Sequence, residues 1–103
     1  MPAREMDELI HAPTRLRIMS VLVELGTGSD ITFARLQAHL EMTPGNLSAH
    51  VKRLQQAEYL EITKGFTPRG VAQTYIRVTE KGIEAFNSYI EQLKDIIGTP
   101  LTS

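Results

Sequence analysis

Residues 31–60 read ITFARLQAHLEMTPGNLSAHVKRLQQAEYL, and the interruption in the middle of that stretch decides the fold. Thr32 is placed to cap a helix whose Phe33, Leu36 and Leu40 share one face. Only Glu41 and Met42 separate it from Thr43, a second good cap, and from Pro44. Proline suits a first helical position because the N–H it lacks would be unpaired there. Leu47, Val51 and Leu54, at spacings of four and three, set the inward face of this second helix. Two short helices joined by so brief a turn form a helix-turn-helix, expected over about residues 32–57. Opposite the apolar stripe lie Gly45, Ala49, Lys52 and Gln56, flanked by Asn46, Ser48 and Arg53. That face is small and polar at its start and basic further along.

Downstream, YLEITKGF and QTYIRV are rich in β-branched and aromatic residues, and the intervening TPRGVA carries the turn signals Pro68 and Gly70. They predict a β-hairpin over about residues 59–78. Alternation puts Leu60 and Ile62 on one face of its first strand and Ile76 and Val78 on one face of its second, with Lys64 and Arg69 near the tip. A last helix is expected from Thr79 to about Ile97, with Ile83, Phe86, Ile90, Leu93 and Ile97 recurring every three or four residues. This seam supports helix pairing but is too short to demand a long coiled coil. Upstream, Pro13 opens a helix in which Leu16, Met19, Leu22 and Val23 recur, and Gly26 with Gly28 closes it. Ile31 offers one or two residues of strand, and Met6, Leu9 and Ile10 share one side of a short leading helix. The order predicts a mainly α fold with a small β-hairpin, one domain over residues 1–103.

The net charge of −1 speaks at first against a nucleic-acid partner, since phosphate binding relies on Lys and Arg. Its distribution reverses that judgement. Residues 43–77 hold five basic and two acidic side chains, a net +3, while the segments on either side are each −2. An anionic partner is therefore expected to meet the middle of the chain. The absence of cysteine rules out disulfides and thiolate metal sites and fits a reducing cytosol. The opening MPAREMDELI is charged throughout, unlike a secretory signal, and no apolar run approaches a membrane span. A cytoplasmic location is the expectation. His11, His39 and His50 show no ligand pairing at helical spacing, so neither metal nor cofactor is expected. No phosphate loop, nucleophile elbow or carboxylate pair suggests an enzyme.

On the strings HAPTRLRIMSVL, TPGNLSAHVKRLQQAEYLEITKGF and TYIRVTEKG, the chain resembles the compact winged helix-turn-helix regulators related to the MarR and ArsR families, over about residues 5–97. The resemblance implies a homodimeric transcription factor that binds double-stranded DNA at an inverted-repeat operator. Its second motif helix would enter the major groove, and its hairpin wing would touch backbone or minor groove. The expected DNA-binding residues are Thr43, Pro44, Gly45, Asn46, Ser48, Ala49, Lys52 and Arg53 on the helix, with Lys64 and Arg69 on the wing. The expected dimer interface joins Met6, Leu9 and Ile10 to the seam of Ile83, Phe86, Ile90, Leu93 and Ile97. Two departures limit the likeness: the chain lacks the cysteines of metal-sensing ArsR members and the long flanking helices of full-size MarR proteins. The competing class is a winged-helix protein-interaction module without specific DNA binding. Such a module has no need for the basic segment to coincide with the outward helix face and the hairpin.

Overall fold

The computed structural model describes residues 7–98. In chain order they form α1 (Glu8–His11), α2 (Pro13–Leu25), β1 (Ile31–Thr32), α3 (Phe33–Leu40), α4 (Pro44–Gln56), β2 (Leu60–Phe66), β3 (Ala72–Val78) and α5 (Glu80–Ile97). Side-chain caps start four of the helices. Asp7 caps α1, Thr32 caps α3 by accepting the Arg35 N–H, Thr43 caps α4 by accepting the Asn46 N–H, and Thr79 caps α5 by accepting the Gly82 N–H. Pro13 and Pro44 occupy first helical turns, as their fixed φ and missing N–H allow.

Both motif helices end in the same backbone device. The Met42 N–H donates to the Gln37 carbonyl and the Glu41 N–H to that of Ala38, with Glu41 left-handed at φ 56°. After α4, Tyr59 donates to Leu54 and Glu58 to Gln55, with Glu58 left-handed at φ 67°. These are Schellman closures, which satisfy the last carbonyls of a helix and turn the chain sharply. The first makes the tight corner of the helix-turn-helix, and the second aims the chain into β2.

The sheet has three antiparallel strands in the order β1-β3-β2. Its register pairs Leu60 with Val78, Ile62 with Ile76, and Ile76 with Ile31, so the apolar residues expected on each strand meet across one face. The hairpin anticipated from sequence thus gains the short strand at Ile31–Thr32 as a third member, on the β3 side.

One core joins the layers. Ile18, Met19 and Leu22 of α2, Leu36 and Leu40 of α3, Leu47, Val51 and Leu54 of α4, and Leu60, Ile76 and Val78 of the sheet are buried together. On α2 Ile18 is fully buried beside Met19 and Leu22, whereas Leu16 and Val23 are only partly covered. Ile10 is a correction to the sequence reading: it is fully buried in this core and has no surface to offer a partner. Met6 lies outside the described residues, and the leading helix covers Glu8–His11. Tyr89, absent from the expected seam, is the buried side chain of α5, while Ile83, Phe86, Ile90 and Leu93 are half-buried against the same core. Ile96 and Ile97 remain 63% and 72% exposed. Among the described residues no helix is long and apolar enough to cross a membrane.

Candidate nucleic-acid interface

Because Leu47, Val51 and Leu54 fix one side of α4 in the core, the opposite side faces solvent along its length. Thr43, Pro44, Gly45, Asn46, Ala49, Lys52 and Arg53 are all exposed, and Ser48 is half-buried at the edge of the face. The Thr43 hydroxyl is 3.2 Å from the Asn46 N–H it accepts, so Asn46 begins a well-formed first turn with its side chain outward.

Between α4 and the hairpin lies an open recess of about 450 Å³. Its floor is apolar, made by Phe33, Val51, Ile62 and Ile76, and its rim is polar, made by Ser48, Lys52, Gln55, Lys64 and Thr74. The fold therefore gathers Ser48 and Lys52 from the helix and Lys64 from the hairpin around one opening, although they are distant in sequence. Among the described residues no acidic side chain lines it.

Arg69 stands apart, on a tight turn at the hairpin tip. The Gly70 N–H donates to the Thr67 carbonyl at 2.8 Å, the Thr67 N–H donates to Val71 at 2.8 Å, and the Thr67 hydroxyl accepts the Val71 N–H at 3.1 Å. Gly70 takes φ 84°, a left-handed conformation that costs glycine little. The turn is thereby pinned, with Pro68 and Arg69 at its corner. Two apolar side chains that sequence reasoning missed flank it: Phe66 is 73% exposed and Val71 is 58% exposed. The only signal for Phe66 was that, counted in twos from Leu60 and Ile62, it falls on the same side of its strand beyond Lys64; Val71, outside both strands, gave none.

The basic side chains divide by their partners. Arg77 is paired with Asp30 and Lys81 with Glu58, both at 3.4 Å. Among the described residues Lys52, Arg53, Lys64 and Arg69 make no ion pair.

Behind this face sits His50, half-buried on α4, whose Nδ1 lies 3.1 Å from an Nη of Arg15. Its pKa is lowered from the ordinary value of 6.5, first by burial and then by the positive charges of Arg15 and Arg53. The imidazole is therefore neutral near pH 7 and accepts the Arg15 hydrogen bond. The sequence showed only that His50 has no ligand partner at helical spacing, and its partner on α2 was beyond the reach of periodicity.

Residues 14–97 match the family model described as a winged helix DNA-binding domain. The chain is 31% identical, over 86 residues, to an uncharacterized protein of Methanocaldococcus jannaschii, covering 84% of this chain and 89% of that one. Among solved structures it is similar to a transcriptional regulator homologue from Pyrococcus horikoshii, with a TM-score of 0.80 and 27% identity, covering 89% of this chain and 87% of that chain. The fold is shared with a zinc-responsive MarR family member from Lactococcus lactis, with a TM-score of 0.62 and 18% identity, covering 94% of this chain and 63% of that chain. With the helix-turn-helix, the three-stranded sheet and the hairpin in place, the chain belongs to the winged helix DNA-binding domain family.

Proposed function

We propose that this protein binds double-stranded DNA sequence-specifically as a two-fold homodimer in the cytoplasm and represses transcription by occluding its operator. Helix α4 enters the major groove, and the wing contacts the backbone or an adjacent minor groove. The observation that carries this reading is the solvent-facing side of α4, small and polar at its start and then basic, with Lys52, Arg53, Lys64 and Arg69 all without an ion pair among the described residues. Gly45, Ser48 and Ala49 let the helix backbone approach a groove closely. Asn46 and Ser48 supply hydrogen bonds for base edges or phosphate, and Lys52 with Arg53 supplies charge.

The dimer reading is supported by α5. Its Ile96 and Ile97 are exposed, and Ile83, Phe86, Ile90 and Leu93 keep part of their surface open. Covering several such side chains, at roughly 1.5–3 kcal/mol each for complete burial, offsets the cost of association.

Titrating labelled duplex DNA at several salt concentrations tests the assignment of α4. The parent protein should show a steep loss of affinity with salt. The variant carrying Lys52→Ala and Arg53→Ala should bind every duplex more weakly, with a log-log slope shallower by up to about two units. An unchanged slope in a folded double variant removes this face of α4 from the interface.

A further inference from the structure

Helix α1 has four residues, far fewer than a helix needs to persist in water by itself. It is held by polar contacts to three separate parts of the fold. At its start, Asp7 accepts the Leu9 and Ile10 N–H groups on Oδ1, at 2.9 and 3.2 Å, and the Tyr59 hydroxyl on Oδ2 at 2.5 Å. Tyr59 stands at the root of the wing, where burial first, then the Asp7 hydrogen bond and charge, push its pKa up to about 12 and keep its proton in place. At the other end, the His11 Nδ1 and the Tyr89 hydroxyl of α5 are hydrogen-bonded at 3.0 Å. The third link reaches α4. Arg15 donates its Nε–H to the Leu9 carbonyl at 2.6 Å and an Nη–H to the His50 Nδ1 at 3.1 Å.

We propose that Arg15 is a positioning residue, a clamp that sets the rotation of α4 by tying His50 to the carbonyl end of Leu9. A guanidinium has donors only, in a rigid planar fork, so both partners must be acceptors. The Leu9 carbonyl and an unprotonated Nδ1 are such a pair. Leu47, Val51 and Leu54 hold one side of α4 in the core and so set its rotation coarsely, but apolar packing is non-directional and leaves small rotations about the helix axis open. A directional bond at the edge of the apolar stripe removes that freedom. Because the clamp also grips α1, whose ends touch the wing root and α5, the attitude of α4 is coupled to the terminal helices. The inference rests on α4 as the DNA-facing helix, since base contacts are sensitive to small rotations. The charged groups that act on His50 are Arg15 from α2 and Arg53 from its own helix.

The first arm of the test needs no DNA. In the full-length 15N-labelled chain, Arg15→Met keeps the apolar stem and removes the fork, and His50→Leu removes the acceptor. His50→Asn keeps an acceptor near the Nδ1 position. Arg15→Met and His50→Leu should each shift amide signals in both residues 9–11 and α4 and speed their exchange. The double variant should add little to the effect of Arg15→Met, and His50→Asn should stay near the parent. Effects confined to each substituted residue's own helix, or effects that add fully, overturn the clamp. His50→Leu leaves the Arg15 bond to Leu9 in place and decides the matter should Arg15→Met fail to fold.

The second arm compares a selected operator with random duplex. Loss of the clamp should reduce operator affinity about tenfold while leaving random-duplex affinity near the parent value. An equal loss on both duplexes marks a merely structural contact and overturns positioning. Should the parent bind no duplex at all, the DNA reading of α4 fails, and the spectroscopic arm still decides the clamp by itself.

Discussion

Gly82 in the first turn of α5 lies against the Tyr59 carbonyl so closely that a Cβ at this position would overlap the oxygen. The same carbonyl accepts the Thr79 N–H at 3.0 Å, and the Thr79 hydroxyl donates to the carbonyl of Glu58 at 2.7 Å. The start of α5 is thus docked onto the chain entering the wing, backbone against backbone. Gly82→Ala should destabilise the protein by about 1–3 kcal/mol, as expected where added volume meets an unyielding neighbour. Urea unfolding of the parent and the variant measures it. A midpoint equal to the parent's shows that the two segments separate freely.

His50 gives the fold a pH dependence with a definite sign. Its folded-state pKa lies below the ordinary 6.5, so the unfolded chain takes up the proton first as the pH falls. The stability that neutral His50 contributes is complete above pH 6.5 and is lost as the pH falls through the folded-state value. Urea midpoints of the parent should decline over that acid window more steeply than those of His50→Leu. The difference between the two curves isolates this residue from His11 and His39. Parallel curves contradict the assignment of neutral His50 as an acceptor.

Much of this architecture was legible in the chain. Thr32 and Thr43 cap the helices they were expected to cap, Thr79 caps the helix expected to begin there, and the apolar spacing fixed which side of α4 enters the core. The helix ends were harder to read. Glu41 and Glu58 take the left-handed position that glycine or asparagine usually fills, so the corner carried no composition signal. Long-range polar partners were invisible for the same kind of reason: nothing local in sequence ties Arg15 to His50 or His11 to Tyr89. On α5, half of each apolar stripe faces its own core. A seam of Ile83, Phe86, Ile90 and Leu93 therefore reads alike whether it serves one subunit or two.

Arg69 and Asn46 should affect recognition in different ways. Arg69→Ala, at the pinned tip of the wing, should weaken binding most on sites with A·T-rich flanks, whose narrow minor groove attracts arginine. Asn46→Ala should change the preferred sequence, because a lost bidentate base contact removes about 1–3 kcal/mol of discrimination. Competition between duplexes that differ in flank or core sequence reads both. Flank-independent losses remove the minor groove from the wing's role, and an unaltered preference excludes base readout by Asn46.

The proposed dimer is best probed at the end of α5. A charge at Ile90 or Leu93 would also disturb the core these residues pack against, whereas Ile96 and Ile97 are exposed. Converting both to Glu should give a monomer by light scattering at micromolar concentration, with α4 and its closure intact by NMR and with most operator affinity lost. A variant that stays dimeric places the interface elsewhere.

Selection of bound fragments from a random pool of duplex DNA by the full-length protein tests the central claim most directly. Two α4 helices related by a two-fold axis and set about 34–36 Å apart should enrich an inverted repeat with half-site centres about 10 base pairs apart. A pool that gains no sequence preference, or one that converges on a site without any dyad, contradicts it.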